Sequence, residues 1–291
     1  MLSLMNPFIP PLLYLNTMNL DAVKDYKVLI IGDWIIDEYR YVRPIGKAIK
    51  ENAMSVQLEG SDIFQGGVWA GAAHLEDFCK QVDVMCGDSI MRNIKYVEST
   101  YKHKLFSVHC KEPSFEVAEY DIPSYDLVIM ADFGHGAITP KLIDRVTKEA
   151  KYLAVNAQTN STNYGFNMIT KFPRADFVVI DELEARLAAH DKEGAIEDVI
   201  LKLGFNHVIV TLGKEGAIGY DGDFVRAKAR VEHVVDTIGA GDAFLCVASP
   251  FARAGIGMAD LLRIGNAAGA VKTGILGHQT AVTKEAMKAY L

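Results

Sequence analysis

The chain has 291 residues, half of them hydrophobic and 23% charged, with a formal net charge of −7 at pH 7. That size and apolar content are enough to bury a full core, as one large domain or a domain with a small appendage. The acidic balance and the lack of any Lys/Arg run exclude a nucleic-acid partner, because neutralising a phosphate backbone needs a basic face.

Residues 1–18 are apolar but carry Pro7, Pro10 and Pro11 and no basic n-region, so neither a signal peptide nor a membrane span is expected. Residues 1–25 are read as an N-terminal extension and 26–291 as the folded domain. The four cysteines, Cys79, Cys86, Cys110 and Cys246, form no Cys-x-x-Cys pair. A reducing cytoplasm is therefore the expected location, with neither a zinc finger nor a disulfide framework.

The first β-rich apolar run is 27–31. Residues 38–65 and 94–110 then break the rhythm: Tyr39, Tyr41 and Val42, the run Val56-Gln57-Leu58, and the alternating stretches Lys95-Tyr96-Val97-Glu98 and Leu105-Phe106-Ser107-Val108 predict short strands off the main sheet. Together they would form a small β lid. Buried strands follow at 127–131, 152–155, 177–180 and 207–211. Between them, helices are predicted at 141–150, 182–190 and 195–203, where apolar residues recur every three or four positions. This alternation implies an α/β fold with a mostly parallel sheet and helices on both faces, and a site beyond the carboxyl ends of the strands.

From Val234 the chain reads Val-Val-Asp-Thr-Ile-Gly-Ala-Gly-Asp-Ala-Phe-Leu, an extended segment, a tight glycine turn and a helix start. Gly239 and Gly241 let backbone approach a ligand, and the first amides of the helix lack internal partners. Gly239, Ala240 and Gly241 would thus frame an anion hole, with the Asp242 carboxylate beside it to take a proton from an attacking hydroxyl. On its own the turn also fits an ordinary helix start whose acid complements the dipole. Pro250 falls within that helix and predicts a bend there.

The string Asp-Thr-x-Gly-Ala-Gly-Asp-x-Phe, residues 236–244, resembles the second signature of the PfkB carbohydrate kinases. The resemblance implies a three-layer α/β/α ribokinase-like fold, Asp242 as catalytic base, and ATP with Mg2+ as cofactors. It also implies a monovalent cation such as K+ held with the help of Asp236 and Thr237. Residues 28–39, which include Asp33 and Asp37, resemble the opening strand of the heptose-phosphate kinase branch, in which the second aspartate contacts sugar hydroxyls. Gly66-Gly67 is similar to the first family signature, which lays backbone against the sugar. The run that follows departs from the family pattern, because the small-residue stretch ending in a sugar-binding Asn is here Val68-Trp69-Ala70-Gly71. Asp33, Asp37, Gly66, Gly67 and Lys47 are therefore the candidate substrate residues, with Lys47 available to a substrate phosphate.

Asp181-Glu182-Leu183-Glu184 matches the position of the family's Asn-x-x-Glu, which implies Asp181 and Glu184 near magnesium. Thr211, Gly213 and Gly216 resemble the nucleotide-side loop, and Asn266 to Gly277 the adenine-flanking helix and turn. Asp132 in Ala131-Asp132-Phe133-Gly134 resembles the stretch at a central strand end near the phosphate. After Leu75 roughly one βα unit of the family pattern is missing. The function implied is ATP-dependent phosphorylation of a sugar or heptose-phosphate-like sugar phosphate; the alternative is a non-catalytic partner subunit of the same fold that has lost sugar phosphorylation. The expected partners are the sugar and ATP, a second copy docked through the open lid edge, and a separate nucleotidyltransferase; neither nucleic acid nor a membrane is expected.

Overall fold

In the computed structural model the structure describes residues 18–113, 119–231 and 234–291. Residues 1–17 of the expected extension lie outside these. The remainder of that stretch belongs to the domain: Val23 is fully buried and Leu20 nearly so, three residues apart on a turn that packs them into the core.

One ten-stranded sheet organises the molecule. The first strand, β1 (Lys27–Lys47), corrects the expectation of short lid strands off the main sheet. It runs without a break from the core into the lid. Residues 28–32 pair in parallel with β5 (Leu127–Asp132), and from Trp34 onward the edge vacated by β5 is taken by the antiparallel β2 (Met54–Gly67). The other edge stays with β3 (Gln81–Glu98) along both halves, with one irregularity in which Gly87-Asp88-Ser89 are inserted opposite Asp33. β4 (Lys104–Pro113) pairs antiparallel with the lid half of β3. Between β2 and β3 lies α1 (Val68–Leu75). Gly32 marks the crossing: a Cβ there would sit 2.3 Å from the Ala131 carbonyl oxygen, so only glycine lets the strand pass β5 this closely.

β3 runs unbroken through the stretch after Leu75, and a cavity of about 440 Å³ lies between its 87–89 bulge and the start of α2 (Pro140–Glu149).

The rest of the sheet follows the predicted alternation through β6 (Leu153–Ala157), β7 (Phe177–Asp181), α3 (Glu182–Ala188), α4 (Ile196–Lys202) and β8 (Val208–Thr211). Two antiparallel strands not anticipated, β9 (Ala217–Tyr220) and β10 (Phe224–Ala227), close the far edge. The order is β10-β9-β8-β7-β6-β5-β1-β3-β4, with β2 on β1. Three helices complete the chain: α5 (Ala240–Arg253), α6 (Met258–Thr273) and α7 (Lys284–Met287). α5 continues through Pro250 as one helix.

Alternate strand residues feed two cores. Ile30, Ile129 and Val179 face α1, α5 and α6, whereas Leu29, Ile31, Val128 and Ile180 face α2, α3 and α4. This is the three-layer arrangement, and it places the carboxyl ends of β1, β5, β6, β7 and β8 along one crest, with the lid rising from β1 and β3. Among the described residues no helix is long and apolar enough to cross a membrane.

Candidate active site

Three connected chambers run along that crest. The first, about 180 Å³, lies under the lid and is lined by Asp37, Gly67, Lys95, His109, Gln158 and Asp242 among others. The second, about 200 Å³, shares Gln158, Gly239 and Asp242 with the first and adds Asp181, Glu184 and Thr211. The third, about 420 Å³ and mostly apolar, continues from Asp181, Thr211 and Gly241 to Gly213, Gly216, Thr237 and Asn266. Asp242 thus stands where the lid chamber meets the middle one.

Gly239 starts α5 in the left-handed region, φ 79°, which a side chain would disfavour. No backbone acceptor among the described residues takes the amides of Gly241 or Asp242, as expected for the first turn of a helix. Asp242 is half-buried one turn in, and its carboxylate accepts from Gln158 Nε2. Burial pushes the carboxyl up to about 6; His278, the Gln158 amide and the Lys272 ammonium oppose the rise and Asp37 adds to it. A carboxylate tuned to that range is a base at neutral pH that still holds a proton well once it has one.

The lid chamber is built by strand register. Asp37 on β1 lies opposite Asn93 on β3, which lies opposite His109 on β4, so three side chains form one rung on the inner face. The His109 Nδ1 and Asn93 Oδ1 are 2.8 Å apart. Two residues on, Tyr39 and Lys95 form the next rung. Asp37 is only 4% exposed; its Oδ1 is 2.8 Å from Lys95 Nζ and its Oδ2 3.5 Å from His278 Nε2. Burial works against the charge on Asp37, but the His278 and Lys95 contacts outweigh it and hold the carboxyl below its ordinary range. Gly66 lies hard against this carboxylate, where a Cβ would sit 2.7 Å from Asp37 Oδ2.

Asp33 is placed differently from Asp37. It is 3% exposed and spent on structure, accepting from the amides of His135 at 3.2 Å and Ala137 at 2.9 Å, so it ties the end of β1 to the turn after β5. Asp132 is likewise buried, paired with Lys171. Lys47 sits exposed at the lid tip and lines none of the three chambers. Gly71 is not on the chamber wall: a Cβ there would meet Ile30 Cδ1 at 2.7 Å and Cys246 Sγ at 2.9 Å, so the core between β1 and α5 excludes a side chain.

In the middle chamber Asp181 caps α3, accepting from the Glu184 amide at 2.7 Å while Glu184 returns a contact to the Asp181 amide at 2.9 Å. The other Glu184 oxygen accepts from Thr159 N at 2.9 Å. Burial and the neighbouring Asp181 carboxylate push Glu184 up to about 8, and burial also raises Asp181. Two crowded carboxylates raised in this way are a ready partner for a divalent cation, and both keep lone pairs not used by the amides. Among the described residues no group of three or more His, Cys, Asp or Glu gathers for a metal.

The Asp236 carboxylate accepts from Tyr39 Oη at 3.2 Å, Ile238 N at 3.0 Å and Gly277 N at 3.0 Å. Gly277 therefore stands behind the glycine turn and not in the apolar chamber. Lys272, fully buried, donates from Nζ to the carbonyls of Ile238 and Gly277, each at 2.7 Å. Burial lowers its ammonium, and the carboxylates of Asp236, Asp242 and Asp37 work the other way.

Gln158, Lys95, His109, His278 and Lys272 went unassigned in the sequence. For Lys272 a signal existed: it continues the stripe Leu261, Gly265, Ala268 at helical spacing, and a charge in a core stripe is uncommon without a task.

A profile of the pfkB family carbohydrate kinases matches residues 112–285. The bifunctional protein HldE of Campylobacter jejuni is 22% identical over 287 residues, covering 86% of this chain; the chain spans 62% of that relative's length. Among solved structures, ribokinase from Thermotoga maritima matches with a TM-score of 0.70 at 15% identity, over 91% of this chain and 99% of that one. Arabidopsis thaliana ribokinase complexed with ribose and ATP matches with a TM-score of 0.69 at 14% identity, over 91% and 98%. The shared fold is the ribokinase-like one.

Proposed function

The chain belongs to the pfkB family of carbohydrate kinases, and on that footing we propose that it transfers the γ-phosphoryl group of ATP to a hydroxyl of a sugar phosphate of the heptose-phosphate kind. The observation that carries this reading is the position of Asp242: at the N-terminus of α5, half-buried, raised to about 6, and at the junction of the lid chamber with the middle one.

The sugar occupies the lid chamber, where Asp37 accepts from its hydroxyls and Lys95, His109 and His135 supply the positive and polar contacts an anionic sugar needs. The nucleotide base lies in the apolar chamber beside Thr211, Gly213, Gly216 and Asn266, with the phosphates reaching the middle chamber. Gln158 holds one oxygen of Asp242 and leaves the other to the acceptor hydroxyl. Asp242 takes the hydroxyl proton as the new O–P bond forms and the bond to the β-phosphate oxygen breaks, releasing ADP. The amides of Gly239, Gly241 and Asp242 face the equatorial oxygens, where negative charge is spread in the transition state, whereas the Ala240 amide is taken by the Thr237 carbonyl. Asp181 and Glu184 are the residues that would hold magnesium or its waters, and the ion would supply charge neutralisation of the phosphates.

The Asp236 carboxylate accepts from three donors and the Thr237 carbonyl from Ala240 N at 3.3 Å, each with a lone pair to spare, but the Lys272 ammonium already stands on the neighbouring Ile238 and Gly277 carbonyls, so no cation from solution is assigned to Asp236 and Thr237. For partners, we infer that a second copy docks on the lid, whose β2 carries exposed Met54, Leu58 and Ile63.

The test is phosphate transfer from [γ-32P]ATP with magnesium across a panel of sugars and sugar phosphates. Transfer to heptose phosphates above neutral sugars supports the reading. Stabilisation by nucleotide with no transfer to any acceptor favours the non-catalytic alternative.

A further inference from the structure

The glycine turn that presents the anion hole is braced from behind by one side chain. Lys272 comes from the last turn of α6, is 0% exposed, and ends on two carbonyls, those of Ile238 just before Gly239 and of Gly277 in the turn after α6. The same two residues donate their amides to Asp236. Ile238 and Gly277 are therefore each clamped twice, by an anion at N–H and a cation at C=O. The turn rests directly on this pair of groups: a Cβ at Gly239 would lie 3.2 Å from Lys272 Cε. Backbone carbonyls converging on a buried positive charge form the kind of cage that holds a potassium or ammonium ion, and a primary ammonium matches those ions in charge and in preference for oxygen acceptors. Burying a charge is costly unless it is paired and hydrogen-bonded, so a brace that needed only shape would be apolar.

We propose that the Lys272 ammonium is a built-in monovalent cation: it fixes the Ile238 and Gly277 carbonyls so that the amides of the glycine turn face the phosphoryl group without any potassium or ammonium from solution. Lys272 is a positioning residue, acting through the turn. The proposal rests on the kinase reading for its catalytic consequence, but the cation cage itself is read without turnover.

Two measurements test it. The first uses the native protein: thermal unfolding and phosphate transfer in KCl against choline chloride at equal ionic strength. The melting temperature is expected to be the same in the two salts and kcat to differ by less than about twofold, because the cage is filled. A potassium-specific rise in melting temperature or a tenfold rise in kcat of the native protein overturns the proposal. The second uses Lys272→Ala, with Lys272→Met as the neutral variant of similar length. Lys272→Ala is expected to lose about 10²-fold in kcat, the scale of a displaced reacting group, and to regain most of it with K+, NH4+ or ethylammonium, while Lys272→Met loses as much and is not rescued, its side chain still filling the cage. Full activity of both variants without added cation, or a loss in Lys272→Ala that no cation relieves, overturns it. Should Lys272→Ala fold only in KCl or NH4Cl and not in choline, the cage is supported by that alone. Should no sugar be phosphorylated at all, the kinase reading fails while the potassium-specific melting shift of Lys272→Ala still decides the cage.

Discussion

Lys95→Met probes the lid chamber through its buried ion pair. Lys95 and Asp37 are 9% and 4% exposed, and Nζ and Oδ1 are 2.8 Å apart. With an effective dielectric of about 20 the direct attraction at that distance is about 6 kcal/mol, largely offset by the cost of taking both charges from water. Removing one partner keeps the cost and loses the attraction, so a loss of about 3–5 kcal/mol in unfolding free energy is expected. His278 stands 3.5 Å from the other Asp37 oxygen and takes up part of the orphaned charge, which places the value at the lower end of that range. The double variant Asp37→Asn/Lys95→Met removes both charges of the pair and recovers most of it. Urea unfolding of the four proteins gives the cycle. The sign with pH is fixed too: the depressed carboxyl of Asp37 contributes stability above its ordinary value near 3.8, lost as pH falls through its folded value, and Asp37→Asn removes that acid-side dependence. A cost below about 1 kcal/mol for Lys95→Met, or a double variant as unstable as the sum of the singles, refutes the reasoning.

In the proposed mechanism the raised carboxyl of Asp242 sets the acid limb of activity: kcat/KM should fall about tenfold per pH unit below about 6 and level off above it, because a base works deprotonated. The Gln158 amide lowers that value, so Gln158→Leu should move the limb to higher pH, and an unchanged limb contradicts the assignment. Glu184→Gln keeps a side chain that can close the cap of α3 but loses the charge, so the apparent magnesium affinity should drop by about 10- to 100-fold with the melting temperature little changed. Identical magnesium titrations for the two proteins would exclude Glu184 from the metal site.

The fold was legible because its signals are local. Strands at 127–132, 177–181 and 208–211 are short apolar runs buried on both faces, and α2, α3 and α4 carry their periodicity in seven to ten residues. The place of Asp242 at the start of α5 was legible for the same reason, since the glycine turn and the first turn of the helix are contiguous. The lid chamber was not. Which side chains meet there depends on the register of β1, β3 and β4, and the Asp37, Asn93, His109 rung joins residues 56 and 16 positions apart through pairing that no motif encodes. Asp33 and Asp37 look alike in sequence, but the two sit on either side of the point where β1 leaves β5, so one is consumed by backbone amides and the other opens on the chamber.

The most direct measurement is the turnover of Asp242→Asn with saturating ATP, magnesium and the best acceptor, together with nucleotide affinity by calorimetry. The substitution keeps shape and removes the base, so kcat should fall by about 10²- to 10⁴-fold with ATP binding within a few-fold of the native value. Near-native turnover in Asp242→Asn would contradict the account at its centre.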